Sequence, residues 1–186
     1  MAELSLLEET LPALYGEHPG FRPELSSLSY GETPLALMAR LLDLVHAGPH
    51  DTFLDLGCGC GATNLVAASR VGRSVGVDIV PGAVEFARRA AARLRFTNTR
   101  FYHGDLLSFD VSQADIIYCA ATAVSEWMAQ QLARRSASFK PGARLIVPEH
   151  PLEAANLELV ERHQSAMAWT RSTLPRAWTF YIYRKR

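Results

Sequence analysis

The chain has 186 residues, 48% of them apolar and 20% charged, which is enough for one well-filled core and too little for two ordinary domains. Nineteen acidic residues balance nineteen basic ones, so no bulk field draws the protein onto a polyanion, and nucleic acid is not favoured as a partner. Three cysteines, two of them separated by one glycine, fit a reducing cytoplasm better than a disulfide scaffold. No stretch has the length and apolarity of a membrane span, and the acidic residues 1–14 do not read as a secretory signal.

Leu4, Leu6, Leu7, Leu11 and Leu14 fall close to a helical period before His18, Pro19 and Gly20 break it, so residues 1–29 read as a short helical segment and a loop. After Tyr30-Gly31-Glu32, Thr33 is expected as an N-cap and Pro34 as the first residue of a helix whose buried stripe is Leu35, Leu37, Met38, Leu41, Leu42 and Val45. Residues 52–56 form an apolar strand, 57–61 a glycine-rich turn and 62–70 an alanine-rich helix. A second strand and helix follow at 74–78 and 81–94. Strands at 101–103, 114–119 and 144–147 continue the alternation, which predicts a doubly wound, mostly parallel α/β sheet with right-handed crossovers. Residues 177–183 alternate bulky side chains and are expected as an antiparallel strand at the C-terminus.

Doubly wound sheets bind ligands beyond the carboxyl ends of their strands, where Gly57, Gly59 and Gly61 lie. Glycine there lets the backbone approach a ligand and adopt positive φ. The run 57–62 also fits the dinucleotide fingerprint G-x-G-x-x-A with Asp78 as its ribose acid, so the motif alone leaves the cofactor open. Asp55 discriminates: a carboxylate two residues before Gly57 repels a pyrophosphate and attracts the ammonium of a methionyl ligand. Asp105, just after the third strand, is placed to accept from the exocyclic amine of adenine while Leu106 packs on the ring. Together these residues point to S-adenosylmethionine.

On these residues the chain resembles the class I methyltransferases over 30–147, with 55–61 standing for their first motif, Asp78 for their ribose acid and Asp105 for their adenine acid. Within that superfamily Tyr30-Gly31-Glu32-Thr33, followed by a helix and Phe53-Leu54-Asp55-Leu56-Gly57, looks most like the Dot1-type protein lysine methyltransferases and their small prokaryotic relatives. The resemblance implies a methyltransferase domain over 30–186 and a Tyr30–Thr33 segment folded over the methionyl part of the cofactor. It implies that Tyr30, Glu32, Thr33, Ile79 and Cys119 join Asp55, Gly57, Gly59, Gly61, Asp78, Asp105 and Leu106 around the cofactor. Two departures stand out: Ala120 and Ala121 occupy the place of the family's paired asparagines, and no lysine-rich arm is present.

Methyl transfer to an amine needs alignment and exclusion of water more than a base. For a hydroxyl acceptor the candidate bases are Glu149, His150 and His103. Tyr30 and Tyr118 are candidate walls of an acceptor channel, whereas Trp127 and Trp178 are expected to pack. The expected acceptor is a protein, a peptide or a small molecule, with lysine-type N-methylation favoured. An NAD-dependent oxidoreductase and a non-catalytic nucleotide-binding module are the rival readings. The six histidines are dispersed and no cysteine pair has ligand spacing, so no metal is expected.

Overall fold

A computed structural model describes residues 33–121, 126–166 and 177–186. Thr33 therefore lies at the start of the described chain; Tyr30, Glu32 and the expected helix before His18 lie outside it.

The elements run α1 (Leu35–Leu44), β1 (Thr52–Leu56), α2 (Ala62–Ala68), β2 (Arg73–Asp78), α3 (Pro81–Arg93), β3 (Thr99–His103), β4 (Ile116–Tyr118), α4 (Glu126–Arg135), a 3₁₀ turn (Ser136–Ser138), β5 (Arg144–Pro148), β6 (Leu157–Ala166) and β7 (Ala177–Lys185). The strands form one sheet in the order β3-β2-β1-β4-β5-β7-β6. The first five are parallel, and β7 runs antiparallel between β5 and β6. Strand order reverses between β1 and β4, which opens the crevice where such sheets take ligands.

Alternate residues of each central strand enter two cores. Phe53, Ile116, Tyr118 and Ile146 pack with the buried faces of α1, α2 and α3, whereas Leu54, Leu56, Val75, Ile117, Leu145 and Val147 pack with Ala129 and Leu132 of α4. Burial of each large aliphatic side chain contributes about 1.5–3 kcal/mol. Helix α2 is buried along its whole length, polar residues included, and Asn64 fastens it to the sheet. The Asn64 amide donates to Ser74 Oγ at 3.1 Å and to the Val75 carbonyl at 2.9 Å, and Ser74 Oγ donates back to the Asn64 carbonyl at 2.9 Å. Gly76 makes room for this seat, because a Cβ there would stand 2.7 Å from Cys58 Sγ and 2.8 Å from Asn64 Oδ1.

Several expected boundaries move. Pro34, not Thr33, is the N-cap of α1, with extended backbone (φ −52°, ψ 137°) and no capping side chain, and the helix begins at Leu35. The fixed φ of proline serves this position as well as the first helical one. Strand β3 begins two residues earlier than its apolar core suggests, and β4 is confined to three residues. The ten-residue β6 was not expected at all. It is an outer strand carrying Glu158, Glu161, Arg162 and His163, so its pattern lacks the clean apolar alternation that announces a half-buried strand. A register shift between Leu159 and Glu161 breaks its period further.

Candidate active site at the ends of the first four strands

The glycine turn is built by its backbone. Gly57, Gly59 and Gly61 adopt φ of 94°, 50° and 83°, and the amides of Gly57 and Cys58 both donate to the Val77 carbonyl, at 2.9 and 3.0 Å. Gly61 has a second constraint, since a Cβ there would come within 2.8 Å of Ala87 Cβ and of the Phe101 ring. Gly57 is different. Its nearest neighbours would be Leu106 Cδ2 at 3.6 Å and Ala121 Cβ at 4.0 Å, so the ends of β1, β3 and β4 converge over this glycine without filling it.

Asp55 stands at the end of β1, is 1% exposed, and faces the core that α1, α2 and α3 cover. The Thr63 hydroxyl on α2 donates to its Oδ2, while Oδ1 is buried with no hydrogen-bond partner among the described residues. Burial pushes the Asp55 carboxyl up to about 7, with Thr63 opposing the shift and Asp78 adding to it. A buried carboxylate oxygen left unpaired is costly, and a cationic ligand group supplies what it lacks. Asp55 pairs in register with Tyr118 on β4, whose hydroxyl lies 2.5 Å from Thr33 Oγ1. The Thr33 hydroxyl is thus occupied by Tyr118, and Tyr118, 1% exposed, is a buried anchor and does not wall an open channel.

Asp78 lies across the turn at the end of β2. Its Oδ2 accepts from the Gly59 amide at 2.8 Å and its Oδ1 from the Val80 amide at 2.9 Å, so the carboxylate shapes the glycine turn while each oxygen keeps further acceptor capacity. Ile79 beside it is 58% exposed, an unusual setting for an isoleucine and one that offers an apolar surface to a planar ligand. Beyond β3, Asp105 is exposed and accepts from the Leu107 amide at 2.8 Å, with Leu106 half-buried beside it. The Arg135 guanidinium reaches this loop from α4 and donates to the carbonyls of Leu106 and Phe109.

On the other side of the crevice, Cys119 is fully buried, and half-buried Ala120 and Ala121 follow it. Of the candidate bases, Glu149 has φ of 66° and is tied to β7: its Oε1 accepts from the Thr179 amide at 3.1 Å. His103 Nε2 lies 3.1 Å from the Ile79 carbonyl. His150 lines a groove of about 440 Å³ with Glu126, Gln130, Arg134 and Glu153, between α4 and the turn after β5. Trp178 is buried as expected, but Trp127 is 55% exposed at the start of α4, so its expected packing role does not hold.

The structure therefore places Asp55, Gly57, Gly59, Gly61, Asp78, Ile79, Asp105 and Leu106 at the carboxyl ends of β1, β2 and β3 and in the turns that follow them, and buries Thr33 and Cys119. Sequence reading missed three contributors. Thr63 carried a signal, being the second residue of the helix that follows the glycine run, whereas the Tyr118 hydroxyl and Arg135 act over 85 and 29 residues and had none. Among the described residues no cluster of His, Cys, Asp and Glu is arranged to hold a metal, and no helix is long and apolar enough to cross a membrane.

Fold and crevice together define a methyltransferase domain of the class I, S-adenosylmethionine-dependent kind, and the likeness to solved structures agrees. An RNA methyltransferase from Salinibacter ruber, solved with S-adenosyl-L-homocysteine, superposes with a TM-score of 0.67 at 23% identity, over 83% of this chain and 93% of that one. Residues 47–183 match the family described as a methyltransferase domain, and the chain belongs to that family. A 23S rRNA (uracil(1939)-C(5))-methyltransferase of Alkalilimnicola ehrlichii is 37% identical over 100 residues, 54% of this chain and 22% of that protein. A protein-L-isoaspartate O-methyltransferase of Methanothrix thermoacetophila is 32% identical over 155 residues, 78% of this chain and 68% of that protein. The chain thus spans about a fifth of the length of the rRNA enzyme it matches. The exclusion of nucleic acid drawn from neutral net charge is not supported, because proteins that act on RNA are among those it resembles.

Proposed function

We propose that this chain transfers a methyl group from S-adenosylmethionine to a nitrogen on a protein or peptide, of the lysine ε-amine type. The observation that carries the cofactor reading is the buried, unpartnered Oδ1 of Asp55 at the end of β1, beside a turn of positive-φ glycines. These residues fit the cofactor. Asp55 would hold its ammonium, Asp78 its ribose hydroxyls and Asp105 its adenine amine, with Ile79 and Leu106 against the ring. When bound, the cofactor supplies a methyl group on a cationic sulfur, and displacement by a nucleophile discharges it. The protein's share is alignment and exclusion of water.

Two features favour an amine over a hydroxyl acceptor. Cys119, Ala120 and Ala121, at the end of β4, bring no proton acceptor to the crevice beyond a buried thiol, and an amine entering a dry site near a cation loses its proton readily. The Tyr30–Thr33 resemblance to Dot1-type enzymes points the same way, although only Thr33 of that segment is described. Similarity to RNA methyltransferases favours a second reading, in which the nitrogen or carbon belongs to RNA.

Both are tested by incubating the protein with radiolabelled S-adenosylmethionine and, separately, a lysine peptide array, total RNA and a metabolite extract. Label on peptides that is lost when their lysines are replaced by arginine supports the amine reading. Label on RNA alone overturns it in favour of the second. Failure to bind the cofactor overturns both.

A further inference from the structure

The buried pair Thr33–Tyr118 has no packing necessity: the hydroxyls of a threonine and a tyrosine, 3% and 1% exposed, meet at 2.5 Å across 85 residues of chain. A phenylalanine and a valine would fill the same volume without the cost of burying two polar groups. The place of the pair gives it a use. Thr33 immediately precedes Pro34, whose carbonyl accepts the first helical hydrogen bond of α1 from Met38 at 2.9 Å. Tyr118 is the last residue of β4 and the direct neighbour of Asp55 across the β1–β4 ladder. In a parallel ladder such partners project from the same face, so the phenol ring flanks the Asp55 carboxylate on one side while Thr63 of α2 bonds it from another.

We propose that Tyr118 is a positioning residue for the cofactor: by holding the Thr33 hydroxyl it seats the start of α1 beside Asp55 and closes that carboxylate off from water, leaving Oδ1 for the ligand's ammonium. The inference rests on S-adenosylmethionine being the ligand at Asp55. It assigns Thr33 an indirect part, through Tyr118, in place of the direct cofactor contact that its sequence neighbourhood implies. A dry carboxylate pairs with a cation more strongly than a hydrated one, so the loss of either hydroxyl is felt in cofactor affinity.

The test is calorimetric titration of the full chain with S-adenosylmethionine for wild type, Tyr118→Phe, Thr33→Val, Thr33→Ser and the Tyr118→Phe/Thr33→Val double variant, with thermal melting alongside. Each hydroxyl-deleting single variant is expected to bind about tenfold more weakly. The double variant should be no weaker than the singles, because both remove one interaction. Thr33→Ser, which keeps the hydroxyl, should stay within about twofold of wild type. The pH above which binding strengthens should also fall in Tyr118→Phe as water reaches Asp55. Variants that melt earlier but bind as wild type does would make the pair structural and overturn the inference. A Thr33→Ser variant as weak as Thr33→Val would overturn it as well, by implicating the lost methyl group. Silence from wild type would instead overturn the cofactor reading beneath it.

Discussion

Replacing Asp55 with asparagine should raise the stability of the ligand-free protein at neutral pH. Burial lifts this carboxyl from 3.8 to about 7, a shift of roughly three pH units at about 1.4 kcal/mol each, so the ionised side chain costs the empty protein about 4 kcal/mol. The direction follows from linkage. Because the folded-state value lies above the unfolded one, folding is favoured by the bound proton below about pH 4. That advantage is lost progressively up to pH 7, and the penalty is constant above it. Asparagine has nearly the same shape and does not ionise. The stability gap between variant and wild type should therefore widen by about 2–3 kcal/mol between pH 5 and pH 8, in favour of the variant. Any fixed cost of the new amide cancels in that difference. Urea denaturation at both pH values measures it, and the variant should meanwhile lose most of its affinity for S-adenosylmethionine. A gap that stays the same at the two pH values would refute the assignment of a costly, ionising carboxyl at this position.

Pairing Asp55 with an ammonium should return it toward the ordinary carboxylate range, so cofactor binding at pH 6 should release most of a proton, read from the buffer dependence of the calorimetric enthalpy; no release would mean that the ligand's charge lies elsewhere. Gly61→Ala places a Cβ 2.8 Å from Ala87 and the Phe101 ring at φ 83° and should cost about 2–4 kcal/mol, seen as a lowered urea midpoint. Asp78→Ala should weaken cofactor binding and also cost about 1–3 kcal/mol of stability, because both carboxylate oxygens accept from backbone amides of the turn; unchanged denaturation would show those amides to be satisfied by water.

The parallel half of the molecule was legible because each of its devices is local. A five-residue strand with Phe53, Leu54 and Leu56 around Asp55, a glycine turn and an alanine-rich helix follow one another within twenty residues, and a parallel sheet with helices on both faces is the arrangement that buries such strands. The strand-end acids were legible for the same reason: Asp55 and Asp78 lie at the ends of their strands, and Asp105 comes two residues after the last residue of β3. What escaped was non-local or polar. Nothing near Tyr118 announces that its hydroxyl meets Thr33, and nothing near Arg135 announces that it grips the carbonyls behind Asp105. Strand β6 escaped because its residues alternate charge with little apolar contrast. Trp127 was expected to pack because aromatics usually do, yet it stands at the start of α4 more than half exposed.

The two borders of the sheet are finished in different ways, and the difference bears on how the protein behaves at high concentration. At the β3 border the Arg88 guanidinium doubles back onto the Phe101 carbonyl, at 2.7 and 3.1 Å, so a group that a foreign strand would use is already taken. At the β6 border the shift between Leu159 and Glu161 interrupts the ladder midway, and Glu158, Glu161 and Arg162 flank the interruption. An incoming strand would have to reproduce that irregularity and bring matching charges to pair along the full length. A ten-residue outer strand that would otherwise invite edge-to-edge polymerisation is in this way made a poor template.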